Sequence, residues 1–127
     1  MKIEVSNGEA VDRATILEIK LERLELAECD RESILTEWNK ILDNLRPLGI
    51  TPTYCGYKEL RLVNRLLWDA VAEQDEMMQH ECPGSWYEGF YEVATKVVKL
   101  NRSRYRMKCS VDEITKSSRR EFKEETS

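Results

Sequence analysis

GEAVDRATILEIKLERL, residues 8–24, is the stretch on which the fold turns. At about 100° per residue it carries two apolar stripes rather than one. Ala10, Ala14, Leu17, Leu21 and Leu24 form the first, and Ile16, Ile19 and Leu26 the second. Thr15, Glu18 and Glu22 fill one gap between them; Arg13, Lys20 and Ala27 fill the other. A helix that is apolar on two sides is packed by neighbours on both, so this helix is central. Ser6-Asn7-Gly8-Glu9 just upstream fits the S-x-x-E capping box, in which Ser6 accepts from a helix amide and Glu9 reaches back. The pattern predicts a first helix over 7–28. The Thr15/Glu18 gap is expected to face inward, and Arg13 and Lys20 to face a partner or solvent.

Working outward, KIEV at 2–5 alternates weakly and reads as extended. Asp30 is placed to cap a second helix over 31–46, stopped by Pro47. Two prolines and two glycines in PLGITPTYCGY, 47–57, mark a long loop. A third helix is expected over 58–80, and Cys82-Pro83-Gly84-Ser85 breaks the chain again. A fourth helix from Trp86 to Thr115 would span roughly 45 Å. The charged tail KSSRREFKEETS, 116–127, reads as frayed or as a short extra helix. Together these predict an all-α, antiparallel bundle of about four helices, two of them long, in a single domain over 1–127. The overhang of the long helices would leave apolar surface bare, and a homodimer would cover it.

Composition agrees. Apolar residues make up 41% and charged residues 35% of 127, with few glycines and prolines, unlike a disordered chain. A net charge of −4 gives no electrostatic footprint for nucleic acid. No apolar run approaches the length of a membrane span, and the N-terminus lacks the apolar core of a secretion signal. A cytoplasmic protein with reduced Cys29, Cys55, Cys82 and Cys109 is the expectation.

Polar residues interrupt the later helices at informative places. The third helix has one broad apolar face, Leu60, Val63, Leu66, Leu67, Ala70, Val71, Met77 and Met78, with Asn64 and Trp68 four apart at its edge and Asp69 pointing away. The fourth begins apolar with Phe90, Val93, Ala94, Val97 and Leu100. On the same face it continues as Asn101, Arg104 and Lys108 before Val111 returns. A helix surfacing into water explains such a switch, as does an ion-pair network or a ligand site. Thr15 and Glu18 are suitable partners for Asn101, Arg104 and Lys108. The candidate cluster is therefore Thr15, Glu18, Asn64, Trp68, Asn101, Arg104 and Lys108.

Catalytic signatures are sparse. The one histidine, in His80-Glu81-Cys82, has no further metal ligands at useful spacing. There is no nucleophile elbow and no glycine-rich phosphate loop. Trp86, Tyr87, Phe90 and Tyr91 suggest packing across a turn or a binding lip. The main reading needs no cofactor. In the alternative, Glu22-x-x-Glu25 and Glu73-x-x-Glu76 hold Mg²⁺ between facing helices. That arrangement resembles the all-α nucleotide pyrophosphohydrolases with their paired E-x-x-E and E-x-x-D motifs.

A broader resemblance rests on Gly8-Glu9, Asp12-Arg13 and Thr15-Ile16-Leu17-Glu18-Ile19-Lys20, on Val63-Asn64 with Leu67-Trp68-Asp69, and on Asn101, Lys108, Ser117, Glu121 and Lys123. These are similar to the G-E-x-V-D-[KR]-x-T-I-L-E-I-K opening and V-N-x-x-L-W-D motif of a family of short uncharacterised bacterial and phage proteins, classed as a domain of unknown function. Ala10 stands for the usual leucine, Arg13 for the usual lysine, and Arg102 where an acid is common. The resemblance implies a small all-α protein in a setting near surface-polysaccharide synthesis. It touches Thr15, Glu18, Asn64, Trp68, Asn101 and Lys108. A protein partner is a separate expectation.

Overall fold

A computed structural model describes residues 5–79 and 86–126, and their side chains except those of residues 86 and 116–126. Four α-helices are packed together: α1 (Asn7–Arg23), α2 (Glu28–Leu45), α3 (Cys55–Gln79) and α4 (Trp86–Thr126). A single 3₁₀ turn, Arg46–Leu48, follows α2, and there is no strand among the described residues. The predicted extended residues at 2–4, together with His80 and Cys82, lie outside the described residues.

Helix boundaries shift from expectation for identifiable reasons. Ser6 caps α1 by accepting the Glu9 amide at 3.2 Å. Glu9 does not close the box; Lys108 of α4 takes its carboxylate at 2.6 Å. α1 ends at Arg23 because Leu24 turns extended (φ −99°, ψ 139°), five residues before the expected end. No breaker residue marks that turn. α2 then starts at Glu28 behind Ala27, which offers no side-chain cap. Asp30 therefore sits within the first turn, where it favours the helix dipole instead of capping.

After α2, Pro47 occupies the 3₁₀ turn and Gly49 adopts φ +77°, the left-handed conformation that a glycine reaches without strain. The amides of Gly49 and Ile50 return to the carbonyls of Arg46 (3.0 Å) and Leu45 (3.2 Å). This hook drives the Ile50 side chain, 2% exposed, into the core. α3 begins at Cys55, inside the predicted loop. Gly56 is there for close packing: a Cβ would lie 2.7 Å from the Tyr54 ring and 3.2 Å from a Val111 methyl. At 41 residues, roughly 60 Å, α4 carries its backbone helix on through the predicted tail.

α1 contacts all three other helices, and α3 contacts α4, as its two apolar stripes require. Polar pairs fix the directions. Gly8, Glu9 and Asp12 meet Asp112, Lys108 and Arg104 in descending order, so α1 and α4 are antiparallel. Glu18, Glu22 and Arg23 meet Arg61, Arg65 and Asp69 in ascending order, so α1 and α3 run the same way. The core gathers Val11 and Ala14 of α1, Leu42 and Leu45 of α2, Ile50, Tyr57 and Leu60 of α3, and Val111 of α4.

The tightest helix contact is at Gly8. A Cβ there would lie 2.2 Å from the Lys108 carbonyl oxygen, so the α1 and α4 backbones touch without an intervening side chain. The Gly8 amide donates to Asp112 Oδ1 at 2.7 Å, giving a free amide of the first α1 turn a partner on α4. Gly8→Ala should force these backbones apart and cost about 3 kcal/mol, at the upper end of overpacking penalties. Urea unfolding monitored by circular dichroism measures this; a loss below about 0.5 kcal/mol would show that α1 and α4 do not meet at Gly8.

Candidate functional site

The polar centre is built on Asp12, a residue of α1 that is 3% exposed. Its Oδ1 accepts from Asn64 Nδ2 of α3 and Arg104 Nε of α4, both at 2.8 Å. Its Oδ2 accepts from Arg104 Nη2 at 2.5 Å. The second Asn64 amide hydrogen goes to Thr15 Oγ1 at 2.8 Å, and that hydroxyl donates to the Asp12 carbonyl at 2.7 Å. Thr15 is fully buried. Among the described residues, no buried side-chain nitrogen or oxygen lacks a hydrogen-bond partner.

Burial alone would push the Asp12 carboxyl up. Hydrogen bonds from Arg104 and Asn64, with the positive charges of Arg104 and Lys108, outweigh that and hold it below its ordinary value of 3.8. The carboxylate is therefore the stable form at neutral pH, and Arg104 is held in a two-pronged grip that fixes its plane.

Glu18 belongs to a different arrangement from the one expected. It meets neither Arg104 nor Lys108. Tyr57 Oη donates to its Oε2 at 2.7 Å and Arg61 Nη1 to its Oε1 at 2.9 Å. Trp38 Nε1 of α2 in turn donates to Tyr57 Oη at 3.1 Å. Burial, and then the neighbouring Glu18 carboxylate, push the Tyr57 hydroxyl well above the usual tyrosine range. The reason for the exchange is angular. Asp12 and Glu18 flank Thr15 three residues to either side, about 120° apart around α1. Asp12 turns toward α4, and Glu18 toward the start of α3. Arg13 faces outward but is paired with Glu37 of α2, Nε to Oε1 at 2.7 Å.

An open groove of about 430 Å³ lies beside Asp12, between α1, α3 and α4. Ile16, Ile19, Leu67, Trp68 and Val71 supply most of its wall. Asn64, Asp75, Asn101 and Arg104 supply its polar lining. Four of the residues singled out in the sequence, Asn64, Trp68, Asn101 and Arg104, thus share one groove. Thr15 is joined to it through Asn64. Lys108 stands further along α4 against Glu9, and Glu18 lies on the other side of α1.

The carboxylates of the alternative reading are not gathered. Arg65 holds Glu22 through Nε (3.1 Å) and Nη2. Glu25, Glu73 and Glu76 are exposed. No group of three or more His, Cys, Asp or Glu side chains among the described residues is placed to hold a metal ion. At the start of α4, Tyr87 and Tyr91 are 73% and 72% exposed, and the Trp86 side chain lies outside the described ones.

The residues missed by periodicity are Asp12, Tyr57 and Trp38. Asp12 carried a signal: it precedes Thr15 by three, the spacing of side chains that touch on one helix face. Tyr57 had none, because it lay in a segment read as loop.

An all-α bundle centred on a hydrogen-bonded Asp12–Asn64–Arg104 triad beside a mostly apolar groove is the class of molecule described. The chain matches the family described as "Family of unknown function (DUF6165)" over residues 1–124, and it belongs to that family. No curated protein and no solved structure matches it.

Asp12→Asn removes a buried charge and leaves Arg104 unpaired. Breaking a buried pair costs about 3–5 kcal/mol, reduced here to about 2–3 because the Arg104 side chain is 30% exposed. The Asp12 carboxyl is depressed in the folded state. Its contribution is thus complete above the unfolded value near 3.8 and lost as pH falls through the folded value. The stability gap between wild type and Asp12→Asn should be constant from about pH 5 to 7 and shrink progressively below about pH 4. Urea titrations across that range test it; a gap that widens in acid contradicts the assignment.

Proposed function

We propose that this chain is a non-catalytic helical interaction module, an accessory protein that works as a homodimer and engages a protein partner. The observation that carries this reading is the engagement of its acids. Both oxygens of Asp12 are taken by Asn64 and Arg104, and Glu18 is divided between Tyr57 and Arg61. A catalytic acid or base needs a reacting proton within reach, whereas these groups are committed to joining helices. The apolar groove beside them, walled by Trp68, suits a side chain or short segment of a partner better than a reacting small molecule. The resemblance noted in the sequence supplies the setting, an accessory role in surface-polysaccharide synthesis. A cytoplasmic location is consistent with free thiols at Cys29, Cys55 and Cys109. No helix among the described residues is long and apolar enough to cross a membrane.

Two measurements on the purified chain bear on this. Sedimentation equilibrium is expected to give twice the 14.9 kDa chain mass. A thermal-shift screen with Mg²⁺ and nucleoside triphosphates is expected to be flat. A bound ligand at 100 times its Kd would instead add about 2.7 kcal/mol and raise the Tm by several degrees. A Mg²⁺-dependent shift with a nucleoside triphosphate would overturn the non-catalytic reading in favour of pyrophosphate chemistry.

A further inference from the structure

α4 has a second organised face, turned away from the core. Tyr91, Val98 and Tyr105 follow one another at intervals of seven and are 72%, 52% and 67% exposed. Ala94 lies between the first two on the same side, and Tyr87, 73% exposed, extends the row by a turn. A sevenfold spacing on a helix of 3.6 residues per turn is the signature of a seam covered by another helix. The surface already has the matching shape. Val98, Asn101, Arg102 and Tyr105 border a shallow depression of about 400 Å³. Their i, i+3, i+4, i+7 spacing is that of the four residues that form a hole for one knob of a facing helix.

Charge along the flank of this seam identifies the occupant. Glu88 and Arg102, both exposed, border the row on one side, two heptads apart. The ion pairs among the described residues use neither of them. An antiparallel copy brings such an acid and base side by side, whereas a parallel copy leaves them two heptads apart.

We infer that this face is the homodimer interface, an antiparallel pairing of α4 with α4 of a second copy about a two-fold axis near Lys96. This deepens the dimer reading above and rests on it. Val98 then lies opposite the partner's Ala94, and Tyr91 enters the hole beside the partner's Asn101. Glu88 falls beside the partner's Arg102. Each contact occurs twice, as the symmetry of an isologous interface demands.

The test is sedimentation equilibrium on the full chain, with circular dichroism to follow helix content. Val98→Asp places a carboxylate in the seam and should weaken the dimer at least about a hundredfold, with helix content unchanged. Glu88→Lys sets like charges against the partner's Arg102 twice and should weaken it about tenfold. The double exchange Glu88→Lys with Arg102→Glu should restore it. A wild-type chain that stays monomeric defeats the dimer reading and this interface together. A dimer that survives Val98→Asp unchanged keeps the dimer reading and overturns this seam. If Val98→Asp dissociates the dimer but Glu88→Lys has no effect, or the double exchange fails to rescue it, the antiparallel register is overturned.

Discussion

The carboxylate of Asp12 is where three helices are fastened to one another. It sits on α1, takes one bond from α3 and two from α4, and is almost wholly removed from water. A carboxylate so placed without donors would protonate or pull the helix out toward solvent. With them, it demands one particular rotation of α3 and one height of α4. The polar break in the inner face of α4 follows. Val93 and Val111 are buried among apolar neighbours, and Arg104 and Lys108 between them meet the acidic first half of α1. Asn101 itself is exposed, but at Arg104 and Lys108 the face lies against α1, where the core changes chemistry.

Charge pairing of this kind needs close backbones, and Gly8 provides them. With no side chain there, the Lys108 carbonyl comes against α1, bringing Asp112 to the Gly8 amide and Lys108 to Glu9. Gly56 makes room instead for side chains, the Tyr54 ring and a Val111 methyl. This part of α4 is thus gripped along its backbone at Gly8 as well as through its side chains. Apolar packing alone tolerates sliding by a methylene or so. A bidentate arginine and a backbone contact do not. Fixing a single register is the role best attested for buried polar groups.

Much of this architecture was legible in residues 8–24. Two apolar stripes on one helix announced a central α1, and the break at Pro47 and the capping by Ser6 fell where their chemistry put them. Helix ends depending on packing were not legible: Gly56 looked like loop because the Tyr54 ring and Val111 methyl that crowd it come together only in the folded chain, and Leu24 ends α1 with no breaker. In the candidate site, the identities Thr15, Asn64 and Arg104 came from periodicity, but the acid that joins them did not. Glu18 and Asp12 are both acids three residues from Thr15. Choosing between them requires knowing on which side of α1 each neighbour lies, and helical periodicity gives angles within a helix, not the placement of helices around it.

The two faces of α4 show how such a helix divides its work. The inner face is spent: its cations are paired, its apolar residues covered, and its backbone held at Gly8. α1, at 17 residues, and α3, at 25, can cover only part of a 41-residue helix. A helix of that length on a monomeric bundle would be expected to turn charge toward water all round its remaining surface. Here tyrosines and a valine recur on that surface at the spacing of a seam, while an acid, Glu88, and a base, Arg102, border that seam two heptads apart. Stability of the single chain requires neither property, since residues this exposed bury little apolar surface. Both make sense once the rigid inner face is regarded as the mount that holds the outer face straight and in a fixed orientation. The bonds that fasten Asp12 to two helices and the organisation of the outer surface are then two sides of one helix: the first fixes the orientation in which α4 presents the second.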